Sequence, residues 1–181
     1  MFKKIEFETT EQREAYLRDT CTSVLGEEAV NYLIDHGFLT APASTRWHGA
    51  YEGGLFDHSI NVANALLLLT NRLGLEWERP ESPLIVGLLH DLCKIDTYIK
   101  DPRDGYIWND DCLVQGHGIK SVLYIEQRIL KLTEEETACI LYHMGAFDQD
   151  GRNYANSIHK FPNVLWAHTA DMIAAHILEV N

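Results

Sequence analysis

The chain has 181 residues, 46% hydrophobic and 23% charged, which suits one globular domain with a sizeable core and excludes a disordered chain. Fifteen Lys and Arg against 27 Asp and Glu leave a net charge of −12. That balance disfavours broad, sequence-independent binding to long nucleic acid or to anionic membranes.

The start, Met1 to Glu6, has no apolar run after its lysines and does not read as a signal peptide. Thr9 and Thr10 precede an amphipathic helix over Glu11–Leu25, stopped at Gly26. A second helix, Glu27–His36, ends before Gly37. Phe38–Gly54, broken by Pro, Ser and Gly, reads as a loop. Asp57 is placed to cap a helix from His58 to Leu73, closed by Gly74, with Val62, Leu66, Leu69 and Leu73 on one face. The apolar stretch near Ala63–Leu69 is far too short to span a bilayer. Pro83 suits the first turn of a helix running to about Cys93. Thr97–Trp108 carries two β-prone triplets around Asp101–Gly105 and predicts a small β-hairpin. Helix resumes over Gly118–Leu130. Thr133 and Glu136 have capping-box spacing and start another helix, to about His143. The Glu134–Glu136 run complements that helix's dipole and calls for no binding role. Gly145–Phe161 reads as a loop, and Pro162 opens a last helix to Glu179. The fold class expected is mostly α, with one hairpin and no internal repeat or dividing linker. Cys21, Cys93, Cys112 and Cys139 form no CxxC pair, so neither a disulfide scaffold nor a Cys-rich zinc site is expected. The compartment expected is the cytoplasm, with no membrane partner.

Nine histidines are many for this length. His58 opens one helix, His90-Asp91 lies near the end of another, and His117 sits between two glycines. His143 ends a helix and Asp171 lies inside the last one. Imidazole nitrogen and carboxylate oxygen are ligands for Mn, Fe, Ni, Co or Zn, with Mg also compatible. A helical bundle builds a metal site by bringing such ligands together from distant helices. Asp91 is the natural bridging carboxylate, and a two-metal site can make hydroxide from water and clamp a phosphate. Lys94, one turn after His90, is suited to a substrate phosphate or to developing charge. Arg46 and His48, in the loop before His58, are further candidates for the substrate, and His168 could line the pocket. His36, His159 and His176 read as incidental. Exposed aromatics such as Trp47 or Trp77 are candidate interface residues.

These residues carry a resemblance to the HD-domain metal-dependent phosphohydrolase superfamily. The motifs are Gly53-Gly54-Leu55-Phe56-Asp57-His58, Leu88-Leu89-His90-Asp91-Leu92-Cys93-Lys94 and His168-Thr169-Ala170-Asp171. Gly116-His117-Gly118 and Tyr142-His143-Met144-Gly145 match the extra histidines of its two-metal branch. Within the superfamily the chain looks most like the HD catalytic domain of bacterial 3′–5′ exoribonucleases that join an OB-fold to an HD domain. About forty helix-like residues precede the motif region here, so an OB-fold is not expected among them. Cys93 departs from the Gly of many relatives; a small buried residue accounts for it.

The resemblance implies a single HD-type helical bundle over 1–181, with a 1–40 helical extension and a 44–179 core. It implies one metal on His58, His90, Asp91 and Asp171, and a second on Asp91, His117 and His143. The catalytic residues would be Asp91 and Lys94, and the substrate-binding residues Arg46, His48, Lys94 and His168. The expected function is a metal-dependent phosphohydrolase, monoesterase or diesterase, acting on a nucleotide or short oligonucleotide. The alternative is an HD module that binds a nucleotide without turnover. A structural metal site and a di-iron oxygenase are lesser readings, and the oligomeric state stays open.

Overall fold

The structure is a computed structural model that describes residues 1–112, 116–147 and 151–180. It is mostly α. The order is α1 (Thr10–Leu25), α2 (Glu27–Asp35), α3 (Gly54–Leu73), α4 (Ser82–Leu89), α5 (Lys94–Thr97), β1 (Tyr98–Lys100) and β2 (Tyr106–Trp108). Then come α6 (His117–Arg128), α7 (Glu134–Leu141), a 3₁₀ turn (Gly145–Phe147), α8 (Gly151–Lys160), α9 (Asn163–Ile173) and a π-helical turn (Ala174–Leu178). No helix among the described residues is long and apolar enough to cross a membrane.

The hairpin forms where the β-prone triplets place it. Its strands are antiparallel, with Tyr98 opposite Trp108 and Lys100 opposite Tyr106. One core runs through the helices: Leu17 of α1, Leu33 of α2, Phe56 and Leu66 of α3, Leu88 and Leu89 of α4, Ile140 of α7 and Val164 of α9 belong to it. α1 and α2 therefore share the core of the motif-bearing helices. α3 and α4 cross closely because residue 87 has no side chain: a Cβ on Gly87 would lie 2.3 Å from Ala63 Cα. That crossing sets His90, one residue past α4, beside His58 on α3.

Several boundaries differ from the sequence expectation. α3 begins at Gly54, so Asp57 lies inside its first turn and caps nothing. The Arg13 guanidinium donates to both Asp57 oxygens, at 2.7 and 2.8 Å, and Tyr51 Oη donates to one at 3.0 Å. α4 stops at Leu89 instead of reaching Cys93. Tighter i→i+3 bonds then take over, Leu92 N to Leu89 O at 3.1 Å and Lys94 N to Asp91 O at 2.9 Å.

The expected loop over 145–161 holds α8 over Gly151–Lys160. Its Gly, Asn and Ser residues are poor helix formers, so tertiary support from Tyr154 and Ile158 against the core decides. The last helix ends at Ile173 and continues as the π-turn.

The acidic run does more than open α7. Thr133 and Glu136 form the expected capping box. Glu136, fully buried, also accepts from Arg79 and Ser82, and Glu135 accepts from Asn163 Nδ2 and Glu78 N at 2.9 Å each. Two of the three carboxylates therefore stitch the starts of α4, α7 and α9 together.

Candidate metal centre

Three histidine rings are held in the same way. His90 Nδ1 donates to Gly87 O at 2.9 Å and His143 Nδ1 donates to Ile140 O at 2.7 Å. His58 Nδ1 lies 3.0 Å from Glu179 Oε2. Each acceptor fixes a ring so that its Nε2 faces inward. α6 supplies the fourth ring. Its start presses on the end of α7, where a Cβ on Gly118 would lie 2.3 Å from Leu141 O. Only glycine permits this approach, which places His117 and His143 on the same side of Asp91.

Asp91 stands between two groups of ligands. Its Oδ2 is 3.4 Å from His90 Nε2 and 4.0 Å from His58 Nε2. Its Oδ1 is 3.4 Å from His143 Nε2 and 3.7 Å from His117 Nδ1. Asp171 Oδ1 lies 3.1 Å from His58 Nε2 and 3.9 Å from His90 Nε2. Five of these buried atoms have no hydrogen-bond partner: Nε2 of His58, His90 and His143, Nδ1 of His117, and Oδ1 of Asp91. Leaving so many buried polar atoms unsatisfied is costly unless something else binds them. The donor set of neutral imidazole and carboxylate suits divalent metals. His58, His90 and Asp91 form one close group, and Asp91, His117 and His143 another, each within 4.8 Å.

The charges are strongly coupled. Against the effect of burial, Asp171 and Glu179 push His58 up to about 10. Against burial, Lys94 and the surrounding imidazoles hold Asp91 well below the usual carboxylate range. Lys94 Nζ pairs with Asp91 Oδ2 at 2.6 Å, and this ion pair keeps it charged despite burial. The 3₁₀-like turn at 91–94 is what directs Lys94 to Asp91 rather than to the His90 side. Burial, with His58 and Lys94 adding to it, drives the His48 imidazole down to about 4, hence neutral.

A pH dependence follows for the metal-free chain. A folded-state pKa near 10 against about 6.5 unfolded means that His58⁺ contributes stability below about pH 6.5, lost as pH rises through 10. A metal ligand must be neutral, so loading releases this proton. Calorimetric titration at pH 8 in buffers of different ionisation enthalpy is expected to show release of about one proton, and weaker binding as pH falls. Binding that strengthens as pH falls would contradict this account.

The remaining sequence candidates divide. A cavity of about 470 Å³ is lined by Asp91, Lys94, His117 and Asp171, together with His48 and His168. His168 Nδ1 donates to His143 O at 2.6 Å, which leaves Nε2 as its other polar atom. Arg46 is not on this wall; it is exposed and lines the adjoining cleft. His176 lines both spaces, contrary to its incidental reading. Trp77 is partly buried and donates to Thr70 Oγ1 at 3.0 Å, whereas Trp47 is 80% exposed. Cys93 is buried, and burial pushes its thiol up to about 12.

The sequence reading missed Glu179. The i→i+5 bond from Glu179 N to Ala174 O, 3.0 Å, closes the π-turn, and the Glu179 carboxylate meets His58. Asn61, one turn along α3 from His58, donates to the other Glu179 oxygen at 3.2 Å. Asn61 also accepts from Ile5 N at 2.7 Å and donates to Ile5 O at 3.2 Å. Glu179→Gln is expected to lower metal affinity by roughly 10–100-fold, read by competition with a chromophoric chelator. Unchanged affinity would remove Glu179 from the site.

Helices gathered around this paired His/Asp cluster define the class. The chain belongs to the HD domain family, whose sequence model matches residues 55–176, more than half of its length. It is similar to the dihydroneopterin 2′,3′-cyclic phosphate phosphodiesterase of Methanocaldococcus jannaschii, with 43% identity over 75 residues. That match covers 38% of this chain, which spans 29% of the relative's length. No solved structure matches the chain.

Proposed function

We propose that this chain is a metal-dependent phosphohydrolase that uses two divalent ions and cleaves a small phosphodiester of the nucleotide type. The observation that carries the reading is Asp91, whose two oxygens face separate groups of unpartnered imidazole nitrogens. His58, His90, Asp91 and Asp171 would hold one ion, and Asp91, His117 and His143 the other. The chemistry such a pair supplies is an activated water and neutralisation of phosphate charge. The partly identical relative acts on a cyclic phosphodiester by its name, which favours a cyclic or terminal diester over a monoester. Both motif core and N-terminal helices would act as one domain, 1–181.

The chain's own side chains do the rest. Lys94 anchors a non-bridging phosphate oxygen. Its ammonium is held charged, so it stabilises negative charge and is a poor proton donor. His48 and His168 stand on the cavity wall and orient the ester. With Nδ1 donating to His143 O, the imidazolium form of His168 would give its Nε2 proton to the leaving oxygen as the P–O bond breaks, and the proton that the water sheds as its oxygen bonds to phosphorus would restore that form. Burial of the cluster limits competing water.

The test is metal content of protein purified without chelator, with His90→Ala and His117→Ala alongside, followed by assay on nucleoside and dihydroneopterin 2′,3′-cyclic phosphates. About two ions, reduced by each substitution together with hydrolysis, are expected. One ion indifferent to His117→Ala would remove the second metal. Tight nucleotide binding with no product over long incubation would favour a non-catalytic module.

A further inference from the structure

A second cleft, of about 690 Å³, adjoins the metal cavity and shares His48, Ala175 and His176 with it. Its other walls include Arg46, Trp47 and Val180. Volumes of this order suit a drug-sized ligand. Both faces are built from irregular backbone. One is the Arg46-Trp47 tip, the other the π-turn over Ala174–Leu178 and the residues after it.

The tip is a fixed turn. Ser44 Oγ accepts from Trp47 N at 2.8 Å and donates to His48 O at 2.9 Å. Ala43 N to Gly49 O, 2.8 Å, closes the loop behind it. On this braced turn the indole of Trp47 is left 80% exposed at the cleft. Beside it Arg46 projects a guanidinium that makes no ion pair among the described residues, in a chain of net charge −12. A large apolar ring and a cation held together at the mouth of a cleft form a platform for a flat, electron-rich group. Through the shared wall at His48, Ala175 and His176 the platform adjoins the cavity that Lys94 lines, so one ligand can reach both.

We propose that this cleft is the base subsite: Trp47 stacks on the planar heterocycle of the substrate and Arg46 holds its acceptor edge, while the phosphate lies at the metal cavity. The proposal rests on the phosphohydrolase reading for the position of the phosphate and adds where the planar ring of the substrate lies and which side chains select it. Selectivity for ring-bearing phosphoesters then comes from Arg46 and Trp47, outside the ligand cluster.

The test compares binding of AMP and of ribose 5-phosphate to the metal-loaded chain by calorimetry, in wild type, Trp47→Ala, Trp47→Phe and Trp108→Ala. AMP is expected to bind about 10-fold or more tightly than ribose 5-phosphate. Trp47→Ala brings that ratio close to one, Trp47→Phe keeps part of it, and Trp108→Ala, on the hairpin, leaves it standing. Circular dichroism confirms that each variant is folded. Equal binding of the two probes in wild type, a ratio that survives Trp47→Ala, or binding of neither probe overturns the subsite. Hydrolysis of a base-free cyclic phosphodiester without any preference for AMP would sink the subsite and spare the phosphohydrolase. A Trp47-dependent preference for AMP in a chain that hydrolyses no phosphoester would do the reverse.

Discussion

Asp91→Asn is expected to lower hydrolysis on the order of 10³-fold, about 4 kcal/mol of transition-state stabilisation, and to lower the metal content at both positions. The reason lies in its two oxygens. Oδ2 faces His58 and His90, Oδ1 faces His117 and His143, and an amide offers an oxygen on one side only. Asp91 is the member common to the His58/His90 group and the His117/His143 group. His117→Ala, by contrast, removes a ligand from one group alone. The substitution also strands the buried Lys94 ammonium, which now pairs with Asp91 at 2.6 Å. Breaking a buried pair by removing one partner destabilises by roughly 3–5 kcal/mol. Lost activity could then reflect lost folding. The double variant Asp91→Asn/Lys94→Met separates the two, since it removes the stranded charge as well. Its thermal melting is expected to recover while its metal content does not; hydrolysis is not the readout here, since Lys94 itself serves the substrate. Recovery of the full metal content in the double variant would show that Asp91 serves the fold alone.

Arg13→Ala should cost the metal-free chain roughly 3–5 kcal/mol in urea denaturation. Arg13 and Asp57 side chains are each only 6% exposed, and the guanidinium engages both carboxylate oxygens. A third bond, from Nη2 to Phe7 O at 3.2 Å, ties in the segment before α1. Without Arg13, Asp57 keeps Tyr51 as its hydrogen-bond donor, too little for a buried carboxylate. Arg13→Lys should recover little, because a point ammonium cannot span two oxygens. Asp57 directly precedes His58, so weakened metal affinity is expected alongside. A loss under about 1 kcal/mol would mean that water or another cation replaces the guanidinium.

What could be read in the sequence was local. His58, His90, Asp91, His117, His143 and Asp171 stand at or near helix ends in an order that brings them together, and the structure gathers all six into one cluster. Capping at Thr133 and the Asp101–Gly105 turn of the hairpin are likewise short-range chemistry. The side-chain partnerships were not legible. Glu179 meets His58 across 121 positions, and Arg13 meets Asp57 across 44. No periodicity encodes a pairing of that kind. Asp57 reads as a cap because Asp at a helix start usually is one; here the helix begins earlier, at Gly54. α-Helical spacing puts Lys94 one turn after His90 on the same face, whereas the local tightening after α4 turns it to Asp91. α8 escaped notice because its residues favour other conformations, and only contact with the rest of the molecule makes it helical.

The bracket formed by Asn61 has a spectroscopic consequence. It holds both backbone groups of Ile5, in a stretch with no regular secondary structure, and the carboxylate that steadies His58. An amide proton in such a stretch ordinarily exchanges with deuterium almost at once. That of Ile5 is expected to be slowed, because it donates to a side chain one helical turn from the cluster. Its exchange rate therefore reports, from near the beginning of the chain, whether His58 is still held from behind. One resonance can follow the state of the centre without a substrate, a chromophore or a metal-sensitive label.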